Sequence, residues 1–210
     1  MSRRSAGLRW LCGAGVAALV VGSVGRAPAC DLPAASPASA PGLVLRVAPP
    51  KSQVVFDAQA FLHSFSGRTS KIRGTLRLAD GDRPDGAEAC FRIDAASLET
   101  GNATRDAIMR DEHLQTSRFP VIAFDLLRVE GARSAADGWE FVARGTLTLR
   151  GVTREIRFPV LARRVRDDLR LTGEVPVRMS DHGIPAPKFL FLTVEDRVLV
   201  RFDILAARAP

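Results

Sequence analysis

Beyond about residue 50, apolar and polar residues alternate with period two along most of the chain. "KIRGTLRL" (71–78) sets Ile72, Gly74, Leu76 and Leu78 against Lys71, Arg73, Thr75 and Arg77. "WEFVARGTLTL" (139–149) puts Trp139, Phe141, Ala143, Gly145, Leu147 and Leu149 on one face. "LRLTGEVPVRM" (169–179) repeats the pattern with Leu169, Leu171, Gly173, Val175, Val177 and Met179, and "RVLVRFDI" (197–204) with Val198, Val200, Phe202 and Ile204. Successive side chains of a strand point to opposite faces, so this alternation predicts strands with one buried and one solvated side. Further strands are expected at 53–62, 88–94, 121–130 and 153–163. Turn signals at "DGDRPDG" (80–86), "DG" (137–138), "RG" (150–151) and "RDD" (166–168) separate them. Eight strands joined by tight turns favour an antiparallel barrel or sandwich.

One helix interrupts the strands. Asn102 is its expected cap, Asp106 and Arg110 stand at i,i+4, and "TSRFP" (116–120) ends it before Pro120. No internal repeat is visible.

The N-terminal end of the chain differs from this plan. Residues 1–9 carry Arg3, Arg4 and Arg9 without an acid, Trp10–Val24 is mostly apolar, and "APAC" (27–30) supplies a small-x-small processing site. That is the build of an export signal. The apolar run is short for a bilayer span. Cys30 raises a lipoprotein alternative, but Ala27 stands where a lipobox carries Leu, so simple cleavage is the preferred reading. Residues 31–42, "DLPAASPASAPG", read as a Pro/Ala/Ser spacer. The expected organisation is a signal peptide at 1–29, a linker at 30–42 and one barrel at 43–210, with the mature chain in the periplasm.

Composition then changes little. The formal charge of +7 falls to +3 once Arg3, Arg4, Arg9 and Arg26 leave with the signal, since no acid leaves with them. The remaining excess is spread along strands, which argues against nucleic-acid binding. After loss of Cys12, Cys30 and Cys90 remain. A bridge between them is open, but Cys90 is expected to be a free thiol.

"RDAIMRDEHL" (105–114) concentrates the charge. A zinc site wants His or Cys closely spaced, whereas the histidines stand at 63, 113 and 182. Asp106, Asp111, Glu112 and His113 include candidate bases, yet no nucleophile elbow, P-loop or dinucleotide motif accompanies them. A solvated helix face with i,i+4 pairs is the plainer reading. The apolar side is more informative: Phe56, Phe91, Ile93, Phe124, Trp139, Phe141, Leu147, Phe158 and Phe202 all fall on it. An eight-stranded barrel is either filled by side chains or holds one ligand. Small residues at Gly74, Gly145, Gly173 and Ala143 are expected to leave room along the axis, which favours a ligand cavity.

"SQVVFDAQAFLHSFSG" (52–67), "IRGTL" (72–76), "SLETGNATRDAIMRDEHL" (97–114), "RFPVIAF" (118–124), "GTLTLRGVTREIRFPV" (145–160) and "DHGIPAPKFLFLTVEDRVLVRFDI" (181–204) occur in this order. Together they resemble the YceI-like family, lipocalin-like periplasmic proteins known for binding polyisoprenoids. The resemblance covers about residues 44–207. It implies an eight-stranded antiparallel lipocalin-like barrel with one short helix near one end, whose lumen takes a long isoprenoid or related lipid, a quinone included. It implies a binder or carrier, no enzyme, and no cofactor besides that lipid. Arg105, Asp106 and His113 match the charged helix motif and become the expected polar mouth. The chain departs from the family in having only "QTSRF" between the helix and Pro120, and no tyrosine. Homodimerisation and peripheral membrane contact stay open. So do two other functions: a periplasmic enzyme using Asp106, Asp111 or His113, and a ligand-free envelope or stress interaction module.

Overall fold

The computed structural model describes residues 30, 32, 42–60, 64–81, 83–186, 188–189 and 192–208. The expected signal at 1–29, most of the linker, and His63 lie outside them.

Eleven strands appear among the described residues: β1 Leu43–Val47, β2 Gln53–Ala60, β3 Phe65–Thr69, β4 Ile72–Leu78, β5 Glu88–Asp94, β6 Val121–Ala135, β7 Gly138–Leu149, β8 Val152–Val165, β9 Asp168–Arg178, β10 Lys188–Phe189 and β11 Leu192–Arg208. They form eight staves, because β1 and β2 are halves of one kinked strand and β3 and β4 halves of its partner. Leu43 faces Leu78, and Val54 faces Thr69 across the same hairpin. From β4 the order runs β5, β6, β7, β8, β9 and β11, all antiparallel. β11 then pairs with both β2 (Val200 with Phe56) and β1 (Leu45 with Arg208), so the barrel closes. The expected lipocalin-like barrel is the observed fold. β1, β3 and the two-residue β10 are additions to the eight expected strands.

Closure has to cross the kink between β1 and β2. There a short turn, Pro49–Lys51, interrupts the ladder. The buried Ser52 hydroxyl accepts from Leu205 N at 3.0 Å and donates to Ala48 O at 2.9 Å, while Ala48 N donates to Leu205 O at 2.9 Å. No buried backbone group of Leu205 is left unpaired, which would be costly in an apolar wall. A second break lies between β8 and β9, whose ladder runs only from Val160–Gly173 to Val165–Asp168. Pro159 has no N–H with which to extend it. The turn Ser180–His182 covers this gap: buried His182 donates through Nδ1 to Val152 O at 3.0 Å, and Arg154 Nε to Asp181 O at 2.9 Å.

Alternation sets which side is inside. In β9, Leu169, Leu171, Val175 and Val177 are buried, while Arg170, Glu174 and Arg178 are exposed. Outer faces carry cross-strand ion pairs such as Arg92–Asp125 at 2.7 Å and Arg201–Asp57 at 2.6 Å. Each such exposed pair is worth only ~0–1 kcal/mol, so the apolar interior dominates.

The cysteines correct an expectation. Cys90 is not a free thiol: it is disulfide-bonded to Cys30, with Cα atoms 5.7 Å apart. Cys90 lies between Ala89 and Phe91, which face the lumen, so its own side chain points to the outer face. The bridge ties the chain before β1 to β5 across 60 residues of sequence. A loop of that length gives about 2–4 kcal/mol of stabilisation by restricting the unfolded chain. Cys90→Ser should lower the denaturation midpoint accordingly, and reductant should bring the wild type down to the same value. A wild-type midpoint that ignores reductant would refute the bridge.

Candidate functional site

The barrel encloses a cavity of about 890 Å³. Its wall is almost wholly Ala, Val, Leu, Ile, Phe and Met. Among the described residues the polar lining groups are Asn102, Thr104, Arg105, Glu112 and His113, and all five come from one segment at one end. That segment is the expected helix: α1, Ala103–Ile108, continues as a π-helical turn over Met109–Leu114. Asn102 caps it as expected, its side chain accepting from Arg105 N at 3.0 Å. At the other end Leu78, Pro84, Ala87 and Leu169 close the lumen.

Aromatic rings line the middle of this wall. Phe91 (β5) and Phe124 (β6) have centroids 6.4 Å apart, Phe124 and Phe158 (β8) 5.3 Å, and Phe158 and Phe202 (β11) 5.6 Å. Glycines on neighbouring strands let these rings lie flat against the wall. A Cβ added to Gly74 would sit 2.5 Å from the Phe91 ring, one on Gly145 2.5 Å from Phe124, and one on Gly173 2.6 Å from Phe202. Gly67 is covered in the same way by Phe56. The glycines were expected to leave empty space along the axis. They do not; each is roofed by a ring, and the space comes from the rings folding back.

Phe56, Phe91, Ile93, Phe124, Phe141, Leu147, Phe158 and Phe202 line the cavity as expected. Trp139 does not. It lies next to the β6–β7 hairpin tip, packed on the core from below, with the Arg83 guanidinium 5.4 Å from its ring centroid. The reading by alternation gave its face correctly but not its height. Phe65, Ile108, Met109 and Ile184 line the cavity without having been foreseen. They sit on β3, the helix and the turn after His182, where no period-two pattern marks them.

At the polar end, Arg105 and His113 face the cavity and Asp106 does not. The Asp106 carboxylate is buried against its own loop, accepting from Thr100 N at 2.8 Å and Thr100 Oγ1 at 2.5 Å. Arg110 turns to Leu98 O at 2.9 Å, so the expected Asp106–Arg110 pair gives way to bonds that order residues 98–100. Arg105 binds Thr100 through Nε at 2.8 Å and lies 4.5 Å from the Phe65 ring centroid. Glu112 is a mouth residue that was not picked out as one. Of the four candidate bases, Glu112 and His113 border the lumen, while Asp111 is exposed and Asp106 is engaged elsewhere. Burial pushes the His113 imidazole below its ordinary value near 6.5; Glu112 opposes this and Arg150 adds to it. Among the described residues no cluster of His, Cys, Asp and Glu could hold a metal ion.

The sequence model of the YceI-like domain matches residues 45–206, which spans the ring from β1 to β11. The chain belongs to the YceI-like family. No curated protein matches its sequence. Two solved structures superpose on it. BcnA of Burkholderia cenocepacia has a TM-score of 0.66 at 18% identity, covering 77% of this chain and 99% of its own. A polyisoprenoid-binding domain of Saccharophagus degradans, implicated in plant cell wall breakdown, has a TM-score of 0.63 at 18% identity, covering 80% and 99%. At this identity the two superpositions show the shared fold.

Two outcomes follow from the site. Gly173→Val puts methyl groups where the Phe202 ring and Pro159 O already sit, and should destabilise the barrel by about 1–3 kcal/mol in chemical denaturation. Gly173 does not sit at positive φ, so the loss reads the filled space beside the Phe202 ring and not backbone strain. For His113 the folded value lies below the unfolded one, so the unfolded state binds more protons in the window just under pH 6.5. The stabilisation is complete above that pH and is lost as pH falls through the folded value. Wild type should therefore lose stability on acidification from pH 6.5 faster than His113→Gln; parallel curves would exclude this role.

Proposed function

We propose that this protein is an exported, non-enzymatic carrier that holds one long isoprenoid chain in its lumen, with the head group at the α1 end. The observation that carries the reading is the cavity: about 890 Å³, apolar along its length and, among the described residues, polar only between Asn102 and His113. A single amphipathic molecule matches that division, its tail among the rings and its head near Arg105, Glu112 and His113. The printed description of the Saccharophagus degradans domain as polyisoprenoid-binding supports the same class of ligand. Chain length follows from energetics. At ~0.8 kcal/mol per buried CH₂, ten carbons contribute about 8 kcal/mol. Association costs ~4–15 kcal/mol, so only long chains bind firmly.

Export is part of the proposal. The basic, apolar and small-residue segments of 1–29 support it, and the Cys30–Cys90 disulfide suits an oxidising compartment such as the periplasm. A Cys30 sulfur held in a disulfide is unavailable for thioether lipidation, which favours a released protein over an anchored lipoprotein. The engagement of Asp106 by its own loop and the exposure of Asp111 support binding over catalysis.

The test is extraction of the purified protein with organic solvent, followed by thermal melting before and after delipidation. A long prenyl lipid should be recovered. Its removal should lower the wild-type midpoint by roughly 5–10 °C, the effect of a ligand present at about 100 times its Kd. Phe141→Ala should then cost less than the ~3–5 kcal/mol of a filled core. An empty extract, an unmoved midpoint and a steep loss for Phe141→Ala would together mean a filled barrel.

A further inference from the structure

Which residue tells one chain length from another is a question the two ends of the lumen answer. Among the described residues the polar lining groups lie on one segment at the α1 end, so a chain anchored there by its head extends toward the opposite end. That end is not open. The connection between β4 and β5 crosses beneath it, and Pro84 and Ala87 of this connection line the cavity from below. Pro84 is buried, and Ala87 N donates to Pro84 O at 3.0 Å, which folds the chain into a tight turn with its ring upward. The turn is held from outside. Arg83 N donates to Asp80 O at 3.0 Å, the Arg83 side chain pairs with Asp85 at 3.3 Å, and its guanidinium lies 5.4 Å from the Trp139 ring centroid. Trp139 belongs to β7, which is separated from β5 by β6 in the ring, so this contact clamps the connection across the barrel end. A tryptophan on the apolar face of its strand that lines no lumen is thereby explained: it supports the floor from below.

We infer that Pro84, clamped by the Arg83–Trp139 contact, is the floor that sets the longest prenyl chain the barrel accepts. The inference rests on the carrier reading above and on the head lying at the α1 end. Proline suits the position, because its fixed φ and missing N–H let an apolar ring face a lipid without exposing a backbone donor. Chains shorter than the lumen leave space above Pro84. Longer ones must push isoprene units and the head group out past the mouth, which exposes apolar chain to water and lifts the head away from Arg105, Glu112 and His113.

The experiment is competitive loading. Delipidated protein is offered an equimolar mixture of geranylgeraniol (four isoprene units), solanesol (nine) and dodecaprenol (twelve), and the bound species are read by native mass spectrometry. Wild type should select one length. Arg83→Ala with Pro84→Gly lowers the floor and should raise the ratio of longer to preferred chain by about tenfold. Ala87→Phe raises the floor and should move the preference to the shorter chain, a reading independent of whether the first variant folds well. A merely structural role would weaken all lengths alike and leave the ratios unchanged, and unchanged ratios in both variants overturn the floor. Indiscriminate loading by wild type overturns it as well. Failure of the wild type to load any of the three alcohols refutes the carrier reading itself, and the floor with it.

Discussion

Phenylalanine rings lying on glycine backbone set the bore of this barrel, and the rest of the structure follows from that bore. Eight staves enclose a space that ordinary inward side chains would fill. Four aromatic rings, on β2, β5, β6 and β11, would close it fastest if they pointed at the axis. Instead each turns sideways onto a glycine of an adjacent strand: Phe56 on Gly67, Phe91 on Gly74, Phe124 on Gly145 and Phe202 on Gly173. The rings keep most of their buried area and their contacts with one another, and they spare the strand glycines an uncovered backbone. A large and a small residue thus share one place in the wall, and the lumen stays open between them.

An open apolar lumen has a thermodynamic consequence. Its lining lacks partner atoms on one side, so a protein of this shape forgoes dispersion contacts that a filled core would supply. What holds the fold is therefore displaced to the wall and its seams: the ladders, the Ser52 hydroxyl that bridges the β1–β2 kink, His182 over the break beside Pro159, and the Cys30–Cys90 bridge outside. The charged helix belongs to the same economy of closure. Asp106 and Arg110 order residues 98–100 at one end, and Arg83 with Trp139 fixes the turn at the other. Charge at the two ends of this greasy tube holds its closing segments in place.

Much of this was legible in the sequence. Period-two alternation depends only on neighbours along the chain, so the faces of β4, β7, β9 and β11, the turns between the long strands and the Asn102 cap could all be read from residue types. So could eight of the nine expected lumen residues, because inside and outside are the only two choices a strand residue has. β1 escaped notice because its five residues adjoin a proline-rich spacer, and β3 because "FSGRT" alternates an aromatic with glycine rather than with another bulky apolar residue.

What the linear pattern could not carry was position along the barrel axis and pairing between distant residues. Trp139 and Phe141 share a face, yet one lies beneath the lumen and the other lines it, since height depends on how eight strands are staggered. Asp106 and Arg110 stand one helical turn apart, yet each found a better partner in the loop below. Cys30 met Cys90, and each ring met its glycine, only because strand order brought them together. The sequence by itself determined an antiparallel set of strands, the identity of their inner face and the capped helix between them, all consequences of local alternation and capping, while closure into a barrel with the helix at one end was implied by the family resemblance. Only the tertiary structure decided that the inner face encloses a cavity and where that cavity stops, because free volume and depth belong to the packing of all eight staves at once.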